Sequence, residues 1–231
     1  MALADEWPSS SPAHFERCEN FSKVRDVTAR CRATVVDMPM GLPADSVIRA
    51  ADEQAWVRLK ASSATTSSVF RTPPRSTLMA RDKIEFQELH RKATGTGAGY
   101  PVWPILKLIR DVDSVLRGEP LLQSRIFEFH PEITWLSLSE SVLHSKSSAS
   151  GALQRLDVLN CRYPVWRPGE ASSLRNRKVG LDDALDANAG LFVAQRIVDG
   201  SARTLPQSVP LRWTVVESAW QSGSETPTES P

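Results

Sequence analysis

The run Ala33-Thr-Val-Val-Asp37-Met-Pro-Met-Gly41-Leu-Pro43 constrains the fold more than any other part of this chain. Its β-branched residues, stopped by Pro and Gly, read as a short strand buried on both faces, the kind found in parallel sheets. Parallel strands need long crossover connections, usually helices, so the run implies an α/β fold. Such sheets gather ligands beyond the carboxyl ends of their strands, and Asp37 stands at that end. Asp is also a common capping residue before a turn, so the strand alone leaves Asp37 open between a turn cap and a site residue.

A second acidic cluster, Asp182-Asp183-Ala-Leu-Asp186-Ala187, opens a helix whose body is rich in Ala, Leu, Phe and Val as far as Gly200. The spacing of Asp183 and Asp186 puts both carboxylates on one face within a single turn. Acids in a first turn favour the helix dipole, which accounts for them in isolation. Asp186 lies deeper, on a helix with mostly apolar faces, and a buried carboxylate needs a partner, for which a divalent cation would serve. The third element is Arg125-Ile-Phe-Glu128-Phe-His130-Pro-Glu132. Strand alternation turns Phe127 and Phe129 one way and Ile126, Glu128 and His130 the other. With no second His at ligand spacing, His130 reads as a hydrogen-bonded structural residue, while Glu128 and Glu132 suggest a strand that lines a site.

The 231 residues, 41% of them hydrophobic, suffice for one α/β core. Helices are expected over 21–30, over Ser46–Lys60 with Asp45 as N-cap, and over Arg81–Arg91. The second of these presents Val47, Ile48, Ala51, Ala55 and Leu59 as its apolar face. Another starts at Pro104, turns Ile105, Leu108, Ile109, Val112, Val115 and Leu116 inward, and ends at Gly118. Gly95-Thr-Gly-Ala-Gly99 lacks the Lys-Ser/Thr ending of a phosphate-binding loop and reads as a flexible hinge. Serines between Ser137 and Gly151 suggest an exposed loop carrying Lys146. The Ser, Thr, Glu and Pro tail is expected to be disordered, which divides the chain into a divergent or truncated segment 1–20, a domain 21–217 and a tail 218–231.

A net charge of +1 does not select a partner, but its distribution is uneven: from Arg58 to Arg110 ten Lys or Arg oppose Asp82, Glu85 and Glu88. A basic segment facing an acidic site suits a phosphate backbone, with Arg71, Arg75, Arg81 and Lys146 as candidate contacts; a solvated charged face is the alternative. Cys18, Cys31 and Cys161 form no C-x-x-C motif, which fits a reducing compartment. No apolar stretch approaches membrane-spanning length and no basic leader precedes one, so the expectation is a cytoplasmic protein without a membrane partner.

Several segments together resemble the domain-of-unknown-function family 429: Val36–Pro43, Arg49-Ala-Ala-Asp52, Ser67–Phe70 with Pro73-Pro-Arg75, Lys107–Asp113, Glu128–Glu132, Lys146 with Gly151 and Arg155, and Asp182–Ala187. Their order agrees with the family's, and they span about Phe21 to Gly200. The resemblance implies an RNase H-like mixed sheet flanked by helices and a metal-dependent nuclease. It makes Asp37, Glu128, Asp183 and Asp186 the catalytic acids, with Asp37, Asp183 and Asp186 holding Mg²⁺ or Mn²⁺ in a two-metal mechanism on nucleic acid. The Gly-rich first strand of such proteins, which bears the leading metal-ligand Asp, is not found in Met1–Asn20, where His14–Cys18 is the candidate strand. A fold truncated at its first strands, inactive or weak as a nuclease, is therefore expected. Two other classes stay open: a non-catalytic nucleic-acid or protein-binding module, which would keep the basic stretch and hold no metal, and a metal-dependent phosphotransferase, which would need a nucleotide pocket.

Overall fold

The computed structural model describes residues 18–44, 48–62, 64, 66–99, 101–139, 141–162 and 179–206, together with three short strands outside those ranges. In chain order the elements are β1 (Ala2–Leu3), β2 (His14–Phe15), α1 (Phe21–Thr28), β3 (Thr34–Val36), α2 (Ala50–Ala61), α3 (Lys83–Thr94) and α4 (Val102–Gly118). They continue with β4 (Ile126–Phe129), α5 (Pro131–Ser139), α6 (Ala149–Arg162), α7 (Leu181–Val198), β5 (Arg203–Leu205) and β6 (Val215–Glu217). The fold is α/β. Strands β1 and β2 pair antiparallel by themselves, and the main sheet has the order β3-β4-β6-β5. In it β3, β4 and β6 run parallel and β5 is antiparallel to β6.

The register of β3 and β4 decides where chemistry can gather. Val36 stands opposite Glu128, so Asp37 leaves the sheet level with Phe129 and His130, at the shared carboxyl edge. All four residues of β4 are buried, because helices cover both faces. On one face Phe127 and Phe129 pack with Val193 of α7, backed by Val35 and Ile197. On the other, Ile126 joins Phe21, Met40, Val112 and Leu116 from α1, the turn after β3, and α4. The alternation expected for this strand is thus the observed one. Helix α7 lies especially close: a Cβ on Gly190 would meet Val35 Cγ2 at 3.0 Å and Phe129 Cζ at 3.2 Å. Beyond the sheet, Trp135 and Leu138 of α5 pack with Leu159 of α6 and with Leu185, Ala189 and Phe192 of α7.

Several helix boundaries differ from the sequence expectation. Helix α2 begins at Ala50 rather than Ser46, with Arg49 at its N-cap, and Asp45 and Val47 lie outside the described residues. Its inner face is Ala51, Ala55 and Leu59 as expected, with Asp52 buried among them, whereas Ile48 is exposed. Helix α4 buries Val102, Leu106, Ile109, Val112 and Leu116, so its apolar stripe passes through Leu106 and leaves Leu108 outside. The expected hinge at Gly95–Gly99 is pinned: Gly95 takes the left-handed C-cap of α3 at φ 76°, and the Gln87 side chain bonds both the N–H and the carbonyl of Ala98. Glu132, grouped above with the strand, falls in the first turn of α5, because β4 ends at Phe129. The expected tail lies outside the described residues.

Candidate active site

Two parallel strands ending side by side leave a crevice between the loops that follow them. Here the loops are Asp37–Gly41 after β3 and His130–Pro131 after β4. Gly41, at φ 69°, lets the first of them reverse direction. The start of α2, the segment Ser68–Thr72 and Lys146 close the remaining sides, giving a cleft of about 290 Å³.

One wall is an ion-pair network centred on Arg49. Its guanidinium donates to both carboxylate oxygens of Glu128, to Oδ1 of Asp52 and to the carbonyl of Met40. Glu128 also accepts the Met40 N–H at 2.8 Å, so the Met40 residue is gripped from both sides by one ion pair. Asp52 accepts the Thr72 N–H at 2.8 Å and its hydroxyl at 3.1 Å. The side chains of Arg49, Asp52 and Glu128 are only 10%, 7% and 8% exposed. Burial by itself would favour deprotonating Arg49, but the charges and hydrogen bonds of Glu128 and Asp52 hold it more firmly protonated than in water. The network ties β4, α2, the turn after Asp37 and the segment before Arg75 into one unit.

The opposite wall is built on Asp186. The Trp135 indole donates to its Oδ1 at 2.6 Å, and Lys146 Nζ lies 3.0 Å from its Oδ2. Lys146 is delivered by a tight turn ahead of α6. Ser148 donates from both its N–H and its hydroxyl to the Ser145 carbonyl, while its Oγ accepts the Gly151 N–H and caps the helix. Gly151 is required there, since a Cβ would stand 2.0 Å from the Ser145 carbonyl oxygen. Arg155, one turn further along α6, donates to the His144 carbonyl at 2.8 Å and to both oxygens of Glu132 at 3.2 Å. Its guanidinium also lies over the Trp135 ring. Ser148, Gly151 and Arg155 thus fix the turn that carries this ammonium. Burial would lower the pKa of Lys146, and Asp186, by charge and hydrogen bond, raises it instead.

Asp37 sits in the mouth between these walls. Solvent reaches it, yet the protein around the cleft raises its pKa to about 7, first through burial and then through the negative charges of Asp186, Glu128 and Glu132; Lys146 opposes them. His130 lines the same cleft and is held neutral, its pKa lowered by burial against the smaller pull of the Ser68 carbonyl and the nearby acids. Its Nε2 contacts the Ser68 carbonyl at 3.3 Å, which assigns the proton to Nε2 and leaves the buried Nδ1 without a partner among the described residues.

The structure therefore brings Asp37 and Glu128 to one cleft with Lys146, and buries Asp186 behind that lysine. Asp183 is on the exposed side of α7, and it is Asp182, half-buried, whose charge reaches Lys146. Asp186 is buried because it lies one turn further along the helix, on the face turned to Trp135. Among the arginines, Arg71 is exposed next to Phe70 and Thr72 of the cleft wall, Arg75 pairs with Asp113 at 2.8 Å, and Arg81 pairs with Glu85 at 3.0 Å while 86% exposed. Reading the sequence for sites left out Arg49 and Asp52. Their signal was an Arg and an Asp three apart at the start of an otherwise apolar helix face, a spacing that makes an ion pair in the first turn. Among the described residues no three His, Cys, Asp or Glu side chains are grouped so as to hold a metal ion.

The sequence matches the family described as "Protein of unknown function (DUF429)" over residues 3–210. The chain belongs to the DUF429 family. No curated protein and no solved structure matches it. For this DUF429 protein, the matched range takes in both strands that end at the cleft, the Arg49 network, the Lys146 turn and Asp186. No helix among its described residues is long and apolar enough to cross a membrane.

Proposed function

We propose that this chain is a metal-assisted phosphodiester hydrolase of RNase H-like fold, acting on nucleic acid and centred on Asp37. The observation that carries the reading is a geometric one: Asp37, at the end of a parallel strand, opens into a cleft lined by Glu128, Glu132 and Lys146, with Asp186 paired behind that lysine, and this acidic surrounding raises the pKa of Asp37 to about 7. Such a group exchanges a proton or accepts a cation near neutral pH, which is the property acid–base and metal-binding residues need.

A divalent ion fits the charge of the cleft. Among the described lining residues, four acids, Asp37, Asp52, Glu128 and Glu132, oppose Arg49 and Lys146, and Asp186 lies directly behind the latter. Arg49 neutralises Glu128 and shares Asp52, Arg155 holds Glu132, and Lys146 holds Asp186, so Asp37 is the acid left to charge repulsion. Mg²⁺ commonly uses one or two carboxylates, completed by water and substrate phosphate, and does not require a cage of three. Asp37 is the residue that would hold Mg²⁺ or Mn²⁺, with water and substrate phosphate completing its sphere; Asp186, whose oxygens accept from Trp135 and Lys146, would act by placing that ammonium beside it. When bound, the ion supplies charge neutralisation and Lewis-acid polarisation of the phosphoryl group.

The remaining roles belong to the chain. Asp37 holds or releases a proton at its carboxyl oxygen. Lys146, half-exposed at the cleft and paired with Asp186, offers its ammonium to a phosphate oxygen. Arg49 and Glu128 hold the turn that fixes Asp37, and neutral His130 lines the pocket without adding charge. Hydrolysis of bis(p-nitrophenyl) phosphate, and of single- and double-stranded DNA and RNA, should require Mg²⁺ or Mn²⁺. It should fall by about 100-fold or more in Asp37→Asn and Asp186→Asn, as for loss of a group acting on the transition state. A purified, folded chain that cleaves none of these with either cation would sink the hydrolase reading and favour a binding module.

A further inference from the structure

A second cavity, of about 230 Å³, adjoins the first and shares Ser68, Glu132 and Lys146 with it as a common wall. Resting on the hydrolase reading, we propose that this cavity is a subsite for the nucleoside on one side of the reacting phosphate, with the ring in the second cavity and the phosphate at Lys146.

Charge separates the two spaces. The first is acid-rich, whereas among the described residues lining the second, Arg155 and Glu132 pair with each other and Lys146 presents its half-exposed ammonium at the boundary. An anionic substrate is therefore better accommodated from the second cavity, with Lys146 at the boundary as its first cationic contact. The lining of the second cavity is mixed. Leu136, Val142 and Leu143 offer an apolar wall, and Ser67, Ser141 and Ser145 bring hydroxyls to the same space. An apolar surface bordered by hydroxyls, next to an ammonium, matches a heteroaromatic ring on a hydroxylated sugar that carries a phosphate. It does not match a free phosphate, which would leave the apolar wall uncovered, nor a lipid chain, which would strand the hydroxyls. Rigidity supports recognition: one side of the cavity is the turn fixed by Gly151, Ser148 and Arg155, and the other is α5.

The test measures binding to the full chain in EDTA, so that no metal contributes, using adenosine 5′-monophosphate, ribose 5-phosphate and inorganic phosphate in calorimetry or saturation-transfer NMR. Adenosine monophosphate should bind about tenfold more tightly than ribose 5-phosphate, the gain expected from covering a small apolar surface with the ring. Leu143→Trp, which fills the cavity, should erase that preference and leave ribose 5-phosphate binding unchanged; Ser67→Trp does the same from the other rim if the first variant does not fold. Lys146→Met should weaken both sugar phosphates together. Equal affinity for the two sugar phosphates, or a preference that survives both filling variants, overturns the proposal. Hydrolysis of bis(p-nitrophenyl) phosphate separates the two readings. A chain that cleaves it but does not prefer the nucleotide refutes only the subsite, and one that prefers the nucleotide but cleaves nothing refutes only the hydrolase.

Discussion

Lys146 Nζ lies 3.0 Å from Asp186 Oδ2 across 40 residues of sequence, and the same ammonium lowers the pKa of Asp37. Asp37 and Asp186 therefore compete for one cation. Removing either partner of the ion pair should move Asp37, in opposite directions.

Carboxyl ¹³C NMR can follow this. In Asp186→Asn the Asp37 midpoint should fall below about 7, since a repelling charge is gone while the amide oxygen can still accept from Trp135. In Lys146→Met it should rise above that value, because only the repelling charges remain. Shifts in the same direction would show that the charges do not act on Asp37 as the geometry implies.

Stability should depend on pH through the same residue. The folded pKa of Asp37 is about 7 against an ordinary 3.8, so between those values the folded state binds more protons than the unfolded chain. Its contribution favours folding at low pH and is lost as pH rises through that window. His130, whose folded pKa is lowered from 6.5, acts with the opposite sign, and its contribution is lost as pH falls below 6.5. Asp37→Asn should therefore melt higher than the parent at pH 8, with the difference shrinking toward pH 4 in thermal scans. Equal melting temperatures throughout would refute the elevated pKa.

Breaking the network around Arg49 should be costly. Arg49→Met leaves Glu128 and Asp52 charged and buried, a change worth about 3–5 kcal/mol in urea unfolding. Adding Glu128→Leu and Asp52→Asn should recover a large part of that loss, because the penalty is mainly that of unpaired charge. No recovery in the triple variant would mean that the grip on Met40, rather than charge balance, is what the network contributes.

Gly151→Ala should disturb the cleft without touching a charged group. The added Cβ would displace the Ser145 carbonyl, 2.0 Å away, and with it the turn that carries Lys146. A destabilisation of about 1–3 kcal/mol is expected for such overpacking. The Asp37 midpoint should also rise, as in Lys146→Met. An unchanged midpoint would place the Lys146 ammonium independently of the turn.

The parts of this architecture legible in the sequence were those set by short-range pattern. The β-branched run before Asp37, the alternation around Phe127 and the apolar body of α7 each specify an element and a buried face, and the structure has all three. Burial of Asp186, past the first turn of an apolar helix, was legible, whereas the exposure of Asp183 was not. Helical spacing puts Asp183 and Asp186 on one face, and packing of α7 against Trp135 and the Lys146 turn separates them. The stripe of α4 was misplaced for a related reason: Leu106 and Leu108 are equally apolar, and the neighbouring elements, not the helix itself, choose between them. Arg49 was recognised as part of the Arg49–Asp52 segment but not as a site residue, because its further partners are Glu128, 79 residues away, and the Met40 carbonyl. Within the basic segment, Arg75 and Arg81 pair with Asp113 and Glu85 once folded, partners that the charge count along the chain does not reveal.

Gly190 carries no functional group, yet the absence of a side chain there sets how deeply α7 rests on Val35 and Phe129. Asp186 lies one turn toward the start of the same helix, so the distance between helix and sheet also fixes how far that carboxylate projects toward Asp37. A methyl at position 190 would act as a shim, lifting the helix by a few tenths of an ångström and weakening the repulsion on Asp37. The acidity of the cleft can in this way be tuned from inside an uncharged contact, by a change that leaves every ionisable residue in place.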